Sequence, residues 1–374
     1  MNPSLSDTHL ILFMTYGMSL AEWDALGMFD RELAVYKKVL PHLKKITIVS
    51  YGGKEDAQYA KPGEPLSVIC NRFGLPLPLY TAFLTKLLPY TWKSPCIVKT
   101  NQMRGGDIAL TAARKAKAGF IARCGFLHSV HATNRNGADS PEARAAVALE
   151  EMVFPSADLC VVSSEHMLET VLERGAAKGK TTVVPNYIVE PWFPQVSIAE
   201  TVKKIYFAGR FEKQKNIMNM LKALKGLDAE IHLIGEGSQL PEAQDLAREL
   251  GLNAHFQPRI PHKQLIQELS KADIYLQPSR YEGHPKTILE AMALGLPVIA
   301  GNSVGIANFM EHEKTGYLCE MNADAIRDAV DTLIASRDLR ATLGKNAREY
   351  VFDKTGLNNV SKLELQAYKR VLGI

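Results

Sequence analysis

The chain has 374 residues, of which 46% are hydrophobic and 22% charged, with a formal charge of +4. That is too long for one ordinary core and suits two globular domains of similar size, each able to bury its own core without disulfides or metals. No stretch approaches the roughly 20 apolar residues that would span a bilayer, and a charge this modest goes with no nucleic-acid partner.

Short apolar runs rich in Val and Ile alternate with longer amphipathic stretches, a rhythm that predicts βαβ units and parallel sheets. In the first half the expected strands are 9–16, 45–51, 67–70, 96–100, 120–124, 159–163 and 182–184. The first apolar run, around Leu10 to Met14, is short and lacks the flanks of a signal peptide. After it come Tyr16, Gly17, Met18 and Ser19, a glycine turn in which Ser19 is placed to cap the following helix. Trp23, Gly27, Arg31 and Glu32 then read as helix packing or as a functional pattern. The segment 73–92, dense in Leu and aromatics with Lys86 and Lys93 at its edge, is expected to be a buried core helix with a proline-rich entry. Its alternative is an exposed face for a lipid-linked acceptor or membrane interface. Thr100, Asn101 and Gln102, and Arg123, Cys124 and Gly125, sit at or just after strands, where polar side chains are candidates for sugar recognition.

The five cysteines (Cys70, Cys96, Cys124, Cys160, Cys319) are scattered and form no Cys/His group at metal-ligand spacing, so they read as reduced core residues of a cytoplasmic protein. The charge excess falls before Pro185, where 21 basic residues face 17 acidic ones. Such an excess suits an anionic acceptor or acidic membrane surface, or is simply a solvated face.

Residues 184–194 hold Pro185, Pro191 and Pro194 and read as an extended linker between domains 1–186 and 187–355. Strands are expected at 204–208, 230–234, 255–257, 274–277 and 297–300. A breaker set at 352–356 precedes a last amphipathic helix, and 356–374 is expected to cross back onto the first domain.

The strongest signal runs from Tyr281 to Ala300. Pro285 is placed to open a helix and Gly295 to close it before the next strand. Glu282 and Glu290 are then separated by roughly 12 Å, eight steps at the helical rise, which is the scale of a nucleotide sugar. Between them lies the helix N-terminus, whose unpaired amides and positive dipole end suit a diphosphate. Glu282 can accept from sugar hydroxyls, Gly283, His284, Pro285, Lys286 and Thr287 can cradle phosphate, and Glu290 can hold ribose hydroxyls. Gly209, Arg210 and Lys215 follow the first strand of this half, where a doubly wound sheet binds its ligands. Arg210 can grip phosphate bidentately and Lys215 adds a point charge.

Gly209, Arg210, Lys215 and the Glu282 to Glu290 segment together resemble the donor signature of the family 4 glycosyltransferases. The likeness extends to Ile234–Gly237, Gln277–Ser279, Leu294–Ala300 and Thr315–Leu318. The resemblance implies an α/β protein of GT-B type, two Rossmann-like doubly wound parallel-sheet domains facing across a cleft. It also implies a UDP- or GDP-sugar donor, retention of anomeric configuration and no metal or other cofactor. By the same resemblance, Arg210, Lys215 and Glu282 are catalytic, and Arg259 and Ile260 meet the nucleobase through their backbone. Gly17 and Met18 would approach the donor phosphate, although only one glycine stands in this loop. A histidine of the first domain, His128 or His131 with His131 preferred, would lie near the sugar. The implied acceptor is a glycan, lipid-linked or other hydroxyl group in bacterial-type glycan, polysaccharide or glycolipid assembly, with peripheral contact at the inner face of the membrane as one option. Two competing readings are a nucleotide-sugar epimerase or hydrolase on the same architecture, and a non-catalytic nucleotide-sugar-binding protein.

Overall fold

The computed structural model describes residues 4–61, 63–93 and 95–374. One compact unit takes the chain up to Pro185 together with Val360–Ile374, and the other takes Asn186–Asn359. In the first unit the strands are β1 (His9–Phe13), β2 (Lys45–Val49), β3 (Leu66–Ile69), β4 (Cys96–Thr100), β5 (Gly119–Cys124), β6 (Leu159–Val162) and β7 (Thr181–Val183). They form one parallel sheet in the order β3-β2-β1-β4-β5-β6-β7. The second unit holds β8 (Lys204–Ala208), β9 (Glu230–Ile234), β10 (Ala254–Gln257), β11 (Ile274–Gln277), β12 (Val298–Gly301) and β13 (Tyr317–Cys319), parallel in the order β10-β9-β8-β11-β12-β13.

Crossover helices cover both faces of such sheets, so central strands must be apolar on both sides. Residues 10–13 of β1 and all of β6, β11 and β12 are buried accordingly. In each unit the strand order reverses next to the first strand, between β1 and β4 and between β8 and β11. The loops leaving those strand ends part there, which makes the reversal the place where an open α/β sheet binds ligands. The α/β class and the two Rossmann-like parallel sheets predicted from the sequence rhythm are both present.

Several local expectations need correction. Strand β13 has no counterpart among the expected strands. The stretch 184–194 is no loose spacer. Ile188 bridges to Gly356 and Phe193 is 2% exposed in the second core, while residues 190–192 make a 3-10 turn. The breaker set 352–356 acts only at its last residue, since one helix runs Arg337–Thr355 and the next, Leu357–Leu372, starts after Gly356. A side chain at Gly356 would meet the Phe352 carbonyl and the Glu190 carboxylate within about 2.5 Å, so the corner depends on glycine.

Segment 73–92 is buried on only one side. Tyr80, Leu84, Leu88 and Trp92 enter the first core. Phe73 is 84% exposed, Leu79 58%, Leu87 62% and Tyr90 72%. The burial reading therefore fails for half of its large apolar side chains. All five cysteines are buried and unbridged.

The last helix reaches the first unit through a buried ion pair. Lys99 Nζ on β4 lies 2.5 Å from Glu364 Oε2, with both side chains almost sealed from water. The Tyr36 and Tyr368 rings stand 5.2 and 5.5 Å from the ammonium and dress it with π density. Removing one partner leaves a buried charge alone, so Glu364→Gln should destabilise the chain by about 3–5 kcal/mol in urea unfolding. The double change Lys99→Met with Glu364→Leu should recover most of that loss.

Candidate active site

The second unit gathers its polar residues at the C-terminal ends of β8 and β11, on either side of the strand reversal. Gly209 and Arg210 leave β8, and a short 3-10 turn, Lys213–Lys215, ends in Asn216. Asn216 holds φ +59, a left-handed conformation that asparagine tolerates better than most residues. Its side chain fixes the turn, donating to the Met321 carbonyl at 2.7 Å and accepting from Arg280 at 3.0 Å. Lys215 is thereby aimed at the loop after β11.

There Lys215 Nζ donates to Glu282 Oε1 at 2.5 Å, and both side chains are at most one-tenth exposed. A charge buried this far needs a partner, and here each supplies the other. Gln214 donates to Glu282 Oε2 at 3.3 Å and to the Tyr281 carbonyl at 2.9 Å. Gln277, the fully buried last residue of β11, donates to Glu282 Oε1 at 3.1 Å and to Ser279 Oγ at 3.2 Å. Its own oxygen accepts from Tyr275 at 2.7 Å and from Thr287 at 2.9 Å. All four hydrogen-bonding positions of the amide are filled. Gln277 thus ties Glu282 to Thr287 and so to the helix Lys286–Leu294. The backbone of Glu282 is held as well, its amide on the Val304 carbonyl at 3.2 Å. Its carbonyl lies where a Cβ on Gly305 would be, 1.8 Å away, so only glycine fits there, at φ +90.

The helix starts at Lys286, one residue later than expected, with Pro285 at the capping position and therefore no side-chain cap from that residue. Gly295 closes it in the left-handed region, as the sequence predicts. Residues 288–294 are buried all round, so Glu290, 2% exposed, must find its partner inside. It does so in His262, whose Nε2 lies 2.8 Å from Glu290 Oε1. Trp192 packs against that imidazole at 5.9 Å. Sequence reading missed His262, and it included Gln277 in the resemblance without giving it a role. A carboxylate inside the apolar run Ile288–Leu294 is the signal that a buried partner exists, but its position 28 residues upstream is set by the fold.

The His284 side chain is held inside the second unit. Its Nδ1 accepts from the Asn186 amide at 3.1 Å, its carbonyl accepts from the Asn186 side chain at 2.7 Å, and its ring packs on Phe309. Only its backbone is left to line the site. Arg210 and Arg259 are exposed, Ile260 packs partly into the second core, and Gly283, Lys286 and Thr287 are half-buried. Gly209 belongs to a close crossing of loops. A Cβ on Gly235 would stand 1.9 Å from the Gly209 carbonyl, and one on Gly237 2.4 Å from that of Phe211.

Gly17, Met18 and His131 lie in the first unit. Gly17 turns at φ +84, the Met18 amide closes onto the Thr15 carbonyl at 2.9 Å, and Ser19 forms a capping box with Glu22. The next two helix amides, of Leu20 and Ala21, are taken by the buried Asp56 carboxylate at 2.8 and 2.9 Å. Asp56 also went unread in the sequence, and it leaves this helix end less open to an anion than the one at Lys286. His131 stands on the helix His128–Asn136 against the Phe126 ring, and the buried Glu150 caps that helix through Ser129. Beyond β4 and β5, Gly125 donates to Gln102 at 2.9 Å and Arg123 to the Asn101 carbonyl at 3.1 Å, so the polar residues predicted for sugar recognition bond to one another.

Two family models match consecutive parts of the chain: "Glycosyl transferase 4-like domain" over residues 46–187 and "Glycosyl transferases group 1" over residues 189–350. An uncharacterized glycosyltransferase of Methanocaldococcus jannaschii is 26% identical over 67% of this chain and 70% of its own length. Several other curated relatives align over less than half their length. Among solved structures, sucrose-phosphate synthase of Thermosynechococcus elongatus superposes with a TM-score of 0.78 at 20% identity, covering 98% of this chain and 99% of that one. HepE of Anabaena, in complex with UDP and glucose, gives 0.74 at 17% identity over 96% and 99%. At these identities the likeness speaks for the GT-B fold.

Burial pushes the His284 imidazole down to about 4. A histidine that is harder to protonate folded than unfolded stabilises fully above its unfolded value near 6.5 and loses that contribution as pH falls toward 4. Between pH 7 and pH 4 the wild type should lose about 3 kcal/mol more than His284→Gln, measured by urea titration at each pH.

Proposed function

Because the chain belongs to the family 4 glycosyltransferases, we propose that it transfers a sugar from a nucleoside diphosphate sugar to an acceptor hydroxyl with retention of anomeric configuration. The observation that carries this reading is the buried Lys215–Glu282 pair, wired through Gln277 to Thr287 in the first turn of the Lys286–Leu294 helix. The HepE structure, which holds UDP and glucose, supports a donor of this class. The diphosphate lies over the amides that open the Lys286–Leu294 helix, where the dipole and the N–H groups of the first turn favour an anion. Arg210 and Lys215 add cationic charge, Glu282 takes sugar hydroxyls, and Glu290, oriented by His262, takes the ribose. Backbone at Arg259 and Ile260 faces the base.

As the bond from sugar C1 to the phosphate oxygen breaks, charge grows on the departing phosphate. Fixed donors aimed at that charge lower the barrier because they need no reorganisation. The acceptor hydroxyl attacks on the same face and passes its proton to the departing phosphate oxygen. The leaving charge is carried by side chains and amides, so the step calls for no divalent cation. In a thermal-shift series with UDP, GDP and ADP sugars, one nucleotide class should raise Tm, by the equivalent of about 2.7 kcal/mol at a hundredfold excess over Kd. Lys215→Ala and Arg210→Ala should each slow transfer about tenfold to a hundredfold, the worth of one charge-assisted contact in the transition state. Wild-type turnover in both variants, or no shift with any donor, would remove the reading.

The acceptor side is read from the first unit, which carries the charge excess. The segment that exposes Phe73, Leu79, Leu87 and Tyr90 also contributes Phe73, Leu75, Phe83 and Leu88 to a mostly apolar cavity of about 290 Å³, whose lining includes Asn71 and Arg72. An apolar cavity next to exposed aromatic and aliphatic side chains suits the lipid part of an acceptor at a membrane surface. Leu79→Glu with Tyr90→Glu should abolish co-sedimentation with anionic vesicles while leaving Tm within about 2 °C of wild type, because neither side chain is buried. Unchanged co-sedimentation would assign the patch elsewhere.

A further inference from the structure

At the opposite ends of the second unit's strands, away from the residues just described, Glu230, His232 and His255 converge. Parallel register pairs His255 of β10 with His232 of β9, and His232 with Tyr206 of β8. Three rings therefore stand at one height on one face of the sheet. Glu230, two residues before His232, shares that face because strand side chains alternate with a period of two. The Tyr206 and His232 rings stack at 4.4 Å and 10°, and the His232 and His255 rings at 4.9 Å and 25°. Tyr206 is buried and forms a fixed floor, so the plane of His232 is set before any ligand arrives. His232 Nε2 lies 3.0 Å from Glu230 Oε2, and a donor atom from each of the three residues falls within 4.8 Å of the others.

We infer that Glu230, His232 and His255 form a surface site for a borderline divalent cation of the Zn²⁺ class. Two imidazoles and one carboxylate are the donor set that such an ion takes, with ligand distances near 2.0–2.2 Å and a fourth position left to water. Closing from the present spacing to those distances requires small side-chain rotations, and His255, the exposed member, is free of core packing. His232 Nε2 and Glu230 already meet, and the ion replaces the proton between them. Lys204 stands opposite Glu230 in register, and Glu230 supplies the one carboxylate of the group. β10 is an edge strand held by β9 alone, so an ion bridging the two pins the edge of the sheet. The site is separate from the proposed transfer chemistry and asks nothing of it.

The test is calorimetric titration of the tag-free, chelator-treated full chain with Zn²⁺ alone. One ion should bind per chain and raise Tm. His255→Ala and Glu230→Gln should each weaken binding at least about tenfold, the lower end of what even a change beyond the ligands costs a metal site. His166→Ala, in the first unit, should bind as the wild type does. The absence of saturable one-to-one binding would overturn the site, as would affinity that is unchanged in the two ligand variants or equally weakened in His166→Ala. His255→Ala removes an exposed side chain, so its loss of binding is not confounded by misfolding.

Discussion

Lys215 and Glu282 are held 2.5 Å apart, nearly out of water, and much of the second unit is arranged around keeping them so. A buried ammonium and carboxylate cost more in lost hydration than their attraction returns unless further hydrogen bonds complete the set. Gln214 and Gln277 supply those bonds to Glu282, Asn216 bends the chain that delivers Lys215, and Gly305 lets a neighbouring loop reach the Glu282 backbone. Each of these residues would be unremarkable alone. Their common task is to keep two opposite charges in register at the reversal of strand order.

That arrangement also sets the electrostatics of the site. Lys215, shared with Glu282, sets the field that an anion would meet together with the helix end at Lys286 and the exposed Arg210. The first unit shows the contrast. Its helix after the glycine turn has two of its first amides covered by Asp56. A carboxylate from elsewhere in the first unit thus takes the amides of that helix end, whereas Pro285, at the start of the Lys286–Leu294 helix, offers no capping side chain.

Much of this was legible in the sequence. Strands such as β4, β8, β9 and β11 announce themselves as bounded apolar runs, and their bounds agree with the structure residue for residue. The segment from Glu282 to Gly295 is equally readable, because proline, glycine and a continuous apolar helix leave little choice of conformation. What could not be read depends on partners distant in the chain. His262 reaches Glu290 across 28 residues and Asp56 reaches Leu20 across 36, and neither carries a local pattern. The partner of the His284 side chain is hidden for a related reason, since the Asn186 amide that bonds it lies 98 residues upstream. Segment 73–92 shows the limit of composition, which counts apolar residues without saying which side of a helix they take.

The place of Glu364 also bears on how the chain is made. The sheet of the first unit is complete once Val183 has been synthesised, yet Lys99 in its central strand has no counter-charge until residues 360–374 emerge. At about 5–20 residues per second, the whole second unit is produced during an interval of roughly ten to thirty-five seconds. Through that time the first unit must hold a lysine in its interior without its carboxylate and leave open the groove that the last helix will fill. The final turns of the chain therefore act as a latch on its earliest fold, and the stretch of synthesis before the latch closes is when the first unit is most exposed to chaperones and proteases.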